Sequence, residues 1–567
     1  MLHIDSILLD SFLTENKHFF ENARVQKIQQ PTRKEIIIQL RNHHESKKLY
    51  INIHPDFFHV CFMSKDNEKK RNISIPKQPP MFCMLLRKHI EGAKILKVQK
   101  PEFERIIELY FENYNELGDR IEECLSIELM GKHSNIVLYN TDNNIIIGCA
   151  HNIGEEKSKE RELAGGLPYI YPPKQNKKDL KNTRFAWFES TILKSEESIK
   201  KTINTKYFGL SQALIEEICN INDINPNQIS SGTKLEDIQK LFIALHEALE
   251  IKDKKYYLSQ DNESYSFISN IGKKYSSTNS LIDDYFAFQI EKNNVTNKKK
   301  NIISKINKEL KKQKNNLDNQ KKQLDKKTKL ELYLAKGNLL TANAHSINNG
   351  LDKIILNDFE TKAPIEIELD PSKSIIENAQ RYFALYNKGK KAVQIAQEMT
   401  DKTIGEINNL NQILFETEIC TNIDDLTDIL ASLEPENPKE NINNKNSKKS
   451  QTIPNIDKQT IDGLNVFVGK NCKQNDYLYS KISSPEDLWF HALNTPGAHV
   501  IVKVQNSNEK IKDETIVKIA KLAKEYSTAK NATKSPIVYT LRKYIKRPQN
   551  TPKGFVVYKN ETEIVVD

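Results

Sequence analysis

The sequence predicts an α+β multidomain protein: a mixed α/β N-terminal domain, a small helix-hairpin-helix-like domain, a long antiparallel coiled-coil arm with a small tip insert, and a β-rich α/β C-terminal domain. The chain has 567 residues, too many for one hydrophobic core. Strand-like runs concentrate near its two ends, and long helical stretches occupy the middle. We therefore predict five segments: 1–178, 179–282, 283–433, a linker at 434–459, and 460–567.

The N-terminal domain is predicted from runs with apolar alternation or β-branched residues, bounded by turn residues. The predicted strands are "KEIIIQLR", "KKLYINIHP", "FERIIELYFEN", "CLSIELM", "SNIVLYN" and "DNNIIIGCA". A short helix is predicted in "PPMFCMLLRKHIEGAKI", because proline stands at its start and Gly92 follows its end. The prolines of "PYIYPPKQ" close the domain, since no helix or strand interior tolerates them.

The helical domain contains a turn with two interpretations. In "TKYFGLSQALIEEICN", Gly209 precedes a helix that carries Leu214, Ile215 and Ile218. Such a turn can present backbone N–H groups to a phosphate. A helix N-terminus also exists without any ligand, so both interpretations stay open.

The arm is predicted from a seven-residue apolar repeat. The repeat consists of Ile303, Leu310, Leu317 and Leu324. Polar residues occupy most of the partner positions, so only half of the seam is apolar. Two strand-like runs, "KIILND" and "PIEIELDP", lie in an insert at about 337–373, and a second helical stretch begins at Ser374. Two helices joined through a compact insert predict an antiparallel pair with a small tip.

Positive charge is concentrated in the first helix of this arm. The whole chain has a net charge of +10, and residues 298–329 contain thirteen Lys against three acidic residues. One interpretation is a solvated arm whose basic helix attracts an acidic partner helix. The other is a basic helix that faces a polyanion. The lysines predicted to do so are Lys311, Lys312, Lys321 and Lys322.

Composition argues against several classes of protein. The seven cysteines are scattered without a Cys-x-x-Cys pair, so we predict reduced thiols and no metal site. The apolar start is interrupted by Asp5 and Asp10, and no apolar run has the length of a membrane span, which favours a cytoplasmic protein. No nucleophile is evidently paired with a base, so no catalytic residue or cofactor is predicted.

The segment "DLWFHALNTPGAHVIVK", from Asp487 to Lys503, predicts two strands around a Pro-Gly turn. Gly497 is expected to supply a positive φ in that turn. Trp489 is either a core residue or a platform for a base, and alternation with its neighbour favours the core. His491 and His499 are either structural residues near the turn or part of an RNA-facing surface.

The order of these blocks resembles a known family. "DGLNVFVGKNCKQNDYL" and "DLWFHALNTPGAHVIV" resemble the C-terminal domain of the NFACT family. The N-terminal domain resembles that family in "ARVQKIQQPTRKEIIIQLR", "PPMFCMLLRKHIEGAKI", "LSIELMGKHSNIVLYN" and "YIYPPKQ", and "LDPSKSIIENAQRYFALYNKGKKA" resembles its second coiled-coil helix. The chain is identified as a member of the family's bacterial branch of ribosome-quality-control factors, formerly called the fibronectin-binding protein A family.

The resemblance implies a function. Such proteins bind a large ribosomal subunit that still carries peptidyl-tRNA, recruit charged tRNA, mainly tRNA-Ala, and extend the stalled chain without mRNA. The alanine tail marks that chain for degradation. The N-terminal domain holds tRNA, the arm crosses the subunit, and the C-terminal domain contacts RNA. Peptide-bond chemistry belongs to the ribosome, so the resemblance implies a ribosome-associated protein that is not an enzyme.

The resemblance also implies site residues. Family members carry an Asp-Arg pair, important for tRNA binding, before a strand of the N-terminal domain, and Glu104-Arg105 in "PEFERII" stand at that place. The acid is one methylene longer here, so its reach differs. The predicted tRNA contacts are Glu104, Arg105, Lys132, His133, Ser134 and Asn135. The predicted rRNA contacts are the four lysines of the arm together with His491, His499, Arg542 and Lys543.

Two other classes of function are less consistent with the sequence. The older family name suggests a surface adhesin, but we expect neither a signal peptide nor a membrane anchor, so binding to host fibronectin is at most a second activity. The N-terminal domain and the helical segment also resemble the fold of formamidopyrimidine-type DNA glycosylases. Those enzymes use an N-terminal Pro and a following Glu, where this chain has Met1, Leu2 and His3.

Overall fold

The computed structural model describes most of the chain and divides it into two compact units, residues 1–293 and 294–567. The described residues are 4–101, 104–114, 118–156, 160–173, 176–325, 327–359, 361–433, 454, 456–504, 511–548 and 554–567.

The first unit is built on a nine-stranded antiparallel sheet. Its strands are β1 (Arg24–Thr32), β2 (Glu35–Asn42), β3 (Glu45–Asn52), β4 (His59–Met63), β5 (Lys94–Gln99), β6 (Ile106–Tyr114), β7 (Arg120–Glu128), β8 (Asn135–Asn140) and β9 (Ile146–Cys149). They lie in the order β4-β3-β2-β1-β5-β6-β7-β8-β9. All six predicted strands are present, and they form β2, β3 and β6 to β9.

Three strands, β1, β4 and β5, are not predicted by the sequence patterns. In β1 the pairing with β2 shifts between Val25 and Lys27 and again between Gln29 and Thr32, so apolar residues lose their strict alternation. In β4 all five residues are buried, which gives a continuous apolar run instead of an alternating one. The strand β5 also shifts its register, between Ile95 and Lys97. Register shifts and complete burial therefore hide these strands from a period-two search.

Helices pack on the sheet and form a second core beside it. Their bounds are α1 (Ser6–Phe20), α2 (Lys65–Lys70), α3 (Met81–Ile90), α4 (Phe185–Leu193), α5 (Ile199–Lys206), α6 (Gln212–Ile221) and α7 (Leu235–Glu250). The predicted helix is confirmed as α3, with Pro80 at its N-cap position and Gly92 beyond its end at φ 86°. The sequence did not predict α1, which buries Leu8, Leu9 and Phe12. The helices α4 to α7 form the separate core of the helical domain.

Three short strands and a long helix follow: β10 (Tyr257–Ser259), β11 (Tyr265–Ser266), β12 (Gly272–Lys274) and α8 (Thr278–Leu324). Leu258, Leu281 and Phe286 join the core of the nine-stranded sheet. A buried ion pair at 2.6 Å links Arg71 to Asp283 of α8. The predicted boundary at 282/283 therefore falls inside a helix whose first turns belong to the N-terminal core.

The second unit begins with packed helices and a hairpin. The elements are the remainder of α8, α9 (Lys327–Ala342), β13 (Lys353–Asn357), β14 (Pro364–Glu368), α10 (Ile375–Ile419) and α11 (Ile423–Leu433). The predicted start of the second helix is confirmed, because Ser374 caps α10 in a reciprocal capping box with Glu377. The strands β13 and β14 pair antiparallel as a hairpin.

The contact between α8 and α10 differs from the predicted seam. Ile302, Ile306 and Leu310 are buried in one cluster with Leu410 and Ile413. Of the residues predicted to form the seam, Leu310 is buried, whereas Ile303, Leu317 and Leu324 are only partly buried. The buried face follows a spacing of four residues, as on an ordinary helix, instead of a strict repeat of seven.

The remaining elements form the C-terminal sheet and its helices. They are β15 (Asp457–Ile461), β16 (Leu464–Gly469), α12 (Cys472–Tyr477), β17 (Leu488–Ala492), β18 (His499–Val502), α13 (Asp513–Glu525), β19 (Ser535–Leu541), β20 (Ile545–Lys546), β21 (Val557–Tyr558) and β22 (Thr562–Val566). Six strands pair in the order β15-β16-β18-β17-β19-β22. The strand β15 begins inside the predicted linker 434–459, most of which lies outside the described residues.

Two general features complete the fold. Six of the seven cysteines are buried, and all seven are free thiols, as the sequence predicted. Within the part of the chain that the structure describes, every helix is too short or too polar to cross a lipid bilayer.

Candidate nucleic-acid interface

A cleft of about 1060 Å³ lies in the first compact unit. Its walls come from the start of α1, the residue before β6, Lys177, Asn204 of α5, the turn at 208–211, the whole length of α6 and the segment 264–271. Three acids, Asp5, Glu216 and Glu217, are among its lining residues. Arg105, singled out by the sequence, is one of its lining residues. The cleft therefore joins the sheet domain to the helical domain at a predicted site.

Arg105 is fixed by a backbone hydrogen bond and by a contact with an aromatic ring. Its carbonyl accepts a hydrogen bond from Leu129 N–H at 2.8 Å. Its guanidinium carbon lies 5.2 Å from the centroid of the Phe58 ring, a cation–π distance. Burial lowers the pKa of Arg105, and the nearby carboxylates of Asp5 and Glu104 counteract that effect. The guanidinium is a partly desolvated cation that an anion in the cleft would stabilise.

Asp5 connects the cleft to the fold. Its carboxylate caps α1 by accepting Leu8 N–H at 2.8 Å, and the side chain of Ser211 lies near enough to lower its pKa. Burial raises the pKa of Asp5, although these contacts and the charge of Arg105 lower it. The carboxylate is thus a fixed structural partner of Arg105, contributed by α1.

A second cation and a helix terminus complete the cleft. Burial lowers the pKa of Lys177, and the charge of Arg105 lowers it further, so the two cations lie close enough to repel each other. Ser211 is the N-cap of α6 and accepts Leu214 N–H at 3.3 Å, and Gly209 precedes it with φ 76°. The first-turn N–H groups of a helix favour an anion. The arrangement suits a phosphate group.

Glu104 adds a negative charge near these two cations. It stands with Arg105 in the bend before β6, as the sequence predicted. Its N–H donates to Pro101 O at 3.2 Å, and its carbonyl accepts from Lys100 Nζ at 3.2 Å. The backbone of the pair is therefore anchored, and the carboxylate of Glu104 lies near enough to raise the pKa of both Arg105 and Lys177.

The "GKHSN" block separates into exposed and buried residues. Lys132 and His133 are exposed in a single turn of 3-10 helix. Ser134 is only 6% exposed, and its Oγ accepts Met130 N–H at 2.8 Å. The Asn135 amide is fully buried and exchanges hydrogen bonds with the backbone of His151 at 2.8 and 3.1 Å. The direct tRNA contact predicted for Ser134 and Asn135 does not fit their burial, because both side chains hold the turn together.

This turn nevertheless belongs to the same region as Arg105. Gly131 has φ 63°, and a Cβ at that position would lie 3.8 Å from Phe58 Cε1. Phe58 is the ring against which Arg105 packs. Both family blocks of the N-terminal domain therefore meet at one buried phenylalanine. The sequence did not single out Phe58, Asp5 or Lys177.

In the C-terminal domain, the strands β17 and β18 pair as the predicted hairpin, with Trp489 opposite Ile501 and Phe490 opposite Val500. Trp489 is 2% exposed and Phe490 is fully buried. The two side chains belong to different clusters, because both faces of this sheet are covered. The prediction that Trp489 is a core residue is confirmed, and the stacking alternative is not.

The connection between these strands corrects one expectation. The positive φ predicted for Gly497 is instead found at Asn494, at 52°. Gly497 is required for a close approach, since an added Cβ would lie 3.0 Å from Ser527 Cβ and 3.3 Å from Tyr526 O. Asp487 organises the opposite end of the hairpin, where it accepts from Ser484 N–H at 2.6 Å and from Lys503 Nζ at 2.8 Å.

His491 and His499 pack against Trp489. The ring centroids lie 5.6 and 5.3 Å from the indole, and the two imidazoles lie 5.3 Å apart. His499 is 6% exposed, so the rRNA contact predicted for it does not fit this structure. Burial lowers the pKa of His491 to about 4 and the pKa of His499 well below 6.5, where the charge of His491 adds to the effect. Both imidazoles are therefore neutral at neutral pH.

These neutral histidines predict a pH dependence of stability. The unfolded chain protonates them near pH 6.5, whereas the folded domain binds those protons only at lower pH, so stability falls as pH decreases from about 6.5 towards 4. Urea unfolding of the wild type at neutral pH and at about pH 5 should show a clear loss of stability. In a His499→Gln variant the loss should be smaller. An equal loss in both proteins would show that other groups cause the acid sensitivity.

Arg542 and Lys543 lie beyond β19. Arg542 donates to Tyr479 O at 3.0 Å and to Ser483 Oγ at 3.1 Å, and its guanidinium carbon lies 3.8 Å above the Tyr479 ring. The guanidinium of Arg542 is therefore already bound by groups of its own domain. Lys543 is exposed and lies 3.1 Å from Glu486, a surface ion pair of small energy. Of the predicted C-terminal contacts, Lys543 is the most accessible to a polyanion.

The four lysines of α8, Lys311, Lys312, Lys321 and Lys322, are all exposed. Lys312 lies 3.2 Å from Glu309, and the pair is exposed to solvent. Ion pairs of this kind hold their partners weakly. The side chains remain available for phosphate.

The cleft has a lining of mixed charge, in which Glu216 lies 3.5 Å from Lys200 and Glu217 accepts a hydrogen bond from Ser266, whereas Arg105 and Lys177 repel each other. Together with the lysine-rich helix α8, this unrelieved pair of cations is typical of proteins that bind polyanions. Comparison with known sequences is more specific. The chain matches "NFACT N-terminal and middle domains" over residues 5–452 and "NFACT protein RNA binding domain" over residues 456–560. It therefore belongs to the NFACT family, as the sequence blocks predicted.

Curated relatives agree with this assignment. The "Rqc2 homolog RqcH" of Bacillus subtilis is 26% identical over 96% of this chain and 94% of its own length. The protein of that name from Streptococcus pneumoniae serotype 2 is 29% identical over 100% of this chain and 98% of its own. The N-terminal part of the fibronectin/fibrinogen-binding protein from Streptococcus suis, 27% identical, covers 50% of this chain and 99% of its own with a TM-score of 0.40.

Proposed function

We propose that this protein is a ribosome-quality-control factor of the RqcH type. It binds large ribosomal subunits that carry peptidyl-tRNA, recruits tRNA-Ala and supports mRNA-independent alanine tailing, which marks the nascent chain for degradation. The observation that carries this proposal is the match to both NFACT domains along almost the whole chain. Relatives named RqcH over their full length support the same function.

The cleft at Arg105 supports binding of tRNA by the first unit. A planar guanidinium can hold a phosphate or a base edge with two parallel hydrogen bonds. Lys177 and the start of α6 add positive potential on the same cleft. Exposed Lys132 and His133 provide further contacts, with Glu104 orienting the cations. Ser134 and Asn135 act indirectly by shaping the turn.

The long helices support a role as an arm that crosses the large subunit. We infer that α8, α9 and α10 form an antiparallel coiled coil and that the β13–β14 hairpin is its tip. Polar seam contacts such as Gln320 Nε2 to Thr403 Oγ1, at 3.1 Å, fix the register of the pair at some cost in stability. The exposed lysines of α8 then meet rRNA phosphates, and exposed Lys543 does the same from the C-terminal domain.

Peptide-bond formation requires no side chain of this protein. The ribosome supplies the reaction centre, and the factor supplies the acceptor tRNA and holds it there. This assignment is consistent with a cleft whose residues suit binding, and it places the protein on ribosomes in the cytoplasm. Fibronectin binding is not part of this proposal, because the relatives that cover almost the whole chain are named as homologues of Rqc2.

Removing positive charge from α8 should weaken subunit binding in a salt-dependent way. Replacing Lys311, Lys312, Lys321 and Lys322 with Gln keeps helix propensity nearly unchanged. Each lost phosphate contact lowers the slope of log affinity against log salt by roughly 0.7–0.9. Sedimentation with purified large subunits across a salt series should therefore show weaker binding and a shallower slope for the variant.

The matched control for this experiment is a second lysine-to-glutamine quartet on the nine-stranded domain. Its members, Lys17, Lys27, Lys65 and Lys69, are all exposed. The control should retain the wild-type slope if the arm provides the contact. Equal slopes for all three proteins would show that the α8 lysines face solvent. Failure of the wild-type protein to sediment with large subunits would overturn the proposed function itself.

A further inference from the structure

Trp187 is a large aromatic residue that the fold leaves uncovered. It lies in the first turn of α4 and is 63% exposed, whereas Phe188 and Ile192 of the same helix are fully buried. The helical core is thus complete without the indole. Exposure of the largest apolar side chain in the genetic code gives no folding energy, and such exposure is typical of a binding surface.

Basic side chains surround this ring. Lys178 Nζ lies 4.9 Å from the indole centroid, at a cation–π distance. Lys181 and Arg184 are also exposed in the segment that leads into α4. The only acid of that segment, Asp179, accepts hydrogen bonds from Lys181 N–H at 3.0 Å and from the Asn182 amide. The net charge around the ring is positive, which favours a polyanion over a neutral apolar partner.

Two adjacent lysines connect the ring to the cleft, because Lys177 lines the cleft and Lys178 contacts the ring. Lys177, the residue before Lys178, lines the cleft together with Phe208 and Gly209. The backbone of Lys178 is fixed against the same wall, because its carbonyl accepts Phe208 N–H at 3.0 Å and its N–H donates to Lys206 O at 2.8 Å. Successive Cα atoms are separated by about 3.8 Å, so the step from the cleft to the ring is short.

Two pairs of like charges mark this side of the molecule. Burial and the charge of Arg105 lower the pKa of Lys177, and burial followed by the charge of Lys181 lowers the pKa of Lys254. Cations that repel each other in the free protein are relieved when a phosphate binds between or beside them. This electrostatic feature supports the geometric argument from the cleft and the ring.

We propose that Trp187 is a stacking platform for an unpaired base of the RNA held in the Arg105 cleft, with Lys178 neutralising the adjoining phosphate. Indole rings stack on any base, because every base presents a π face, and a neighbouring cation binds the backbone. The platform would add one nucleotide site to the cleft. This inference rests on the proposed binding of tRNA. The ligand class is single-stranded RNA, such as a loop or an end of tRNA.

Replacing Trp187 tests the platform directly. Stacking is worth about 1–3 kcal/mol per base, so Trp187→Ala should weaken binding of purified unfractionated tRNA by about 5- to 150-fold. Trp187→Phe retains a ring and should lose much less. Leu193→Ala is the matched control, because Leu193 is 41% exposed on the same helix. It should bind tRNA like the wild type.

A fully paired RNA duplex separates stacking from general electrostatics. A blunt-ended duplex offers no unpaired base, so Trp187→Ala should bind it as well as the wild type does. A reduction as large as that for tRNA would overturn the stacking platform. Unchanged tRNA affinity in Trp187→Ala, together with a loss in Arg105→Ala, would overturn the platform and leave the proposed tRNA-binding function intact. A wild-type protein without tRNA affinity would overturn both.

Fluorescence quenching provides a second readout. The chain has two Trp residues, and the other one, Trp489, is buried. Iodide should therefore quench Trp187 and leave Trp489 almost unaffected, and the Trp187→Phe variant assigns the two signals. Saturating tRNA should protect Trp187 from iodide. Undiminished quenching in the presence of bound tRNA would overturn the proposal.

Discussion

Replacing Arg105 with alanine is expected to lower tRNA affinity at least about tenfold while binding of large subunits remains near the wild-type level. A hydrogen bond to a charged group contributes about 1.5–3 kcal/mol. Arg105 is partly desolvated beside Phe58 and Asp5, so its contact with an anion is stronger than that of a surface lysine. Filter binding with purified tRNA measures the loss, and sedimentation with large subunits measures what remains.

The controls separate a lost contact from a lost fold. Arg33→Ala removes an exposed arginine from the turn between β1 and β2 and should leave tRNA binding unchanged. Arg105→Lys keeps the charge beside Asp5 and should still be impaired, because lysine lacks the planar fork. Wild-type tRNA affinity in a folded Arg105→Ala protein would show that the cleft does not hold tRNA through this residue.

Replacing Trp489 with alanine is expected to cost about 3–5 kcal/mol of the stability of the C-terminal domain, the usual range for a large buried aromatic. The indole is enclosed by Ile501, Val538 and Leu478, and it packs on both histidines of the hairpin. Removing the indole leaves a cavity, and because both faces of this sheet are packed, the surrounding residues cannot easily fill it. Trp489→Phe preserves most of the packing and should cost less.

Hydrogen–deuterium exchange of peptides from residues 488–502 measures this local stability in the full-length protein, where global unfolding need not be two-state. Trp187→Ala is the matched control, because it removes the same side chain from an exposed position and should change the stability by no more than about 0.5 kcal/mol. Equal protection of the hairpin in wild type and Trp489→Ala would contradict the assignment of Trp489 to the core.

Elements with clear end signals could be predicted from the sequence. The helix α3 lies between Pro80 and Gly92, and α10 begins at the capping residue Ser374, where local chemistry fixes the boundary. The strand β1 could not be predicted, because its two register shifts displace Val25 and Ile28 from strict alternation. In the predicted seam of α8 only Leu310 is buried, and Ile302 is buried in place of Ile303, since a short contact does not require a strict heptad.

Only part of the candidate site could be predicted from the sequence. The family block located Arg105, and a turn motif located Gly209, but only the fold shows that both line one cleft. Asp5, Phe58 and Lys177 come from separate segments of the chain, and no local pattern marks them. Gly497 was singled out for a positive φ, yet the structure requires it for the close approach of Ser527, which depends on tertiary packing.

Sequencing the RNA that copurifies with the tagged protein tests the proposed function most directly. An RqcH-type factor should enrich tRNA-Ala and the rRNA of the large subunit, without the rRNA of the small subunit. The Arg105→Ala protein should lose the tRNA and keep the large-subunit rRNA. A wild-type protein that purifies free of RNA, or that carries rRNA of both subunits in equal amounts, would contradict the proposal.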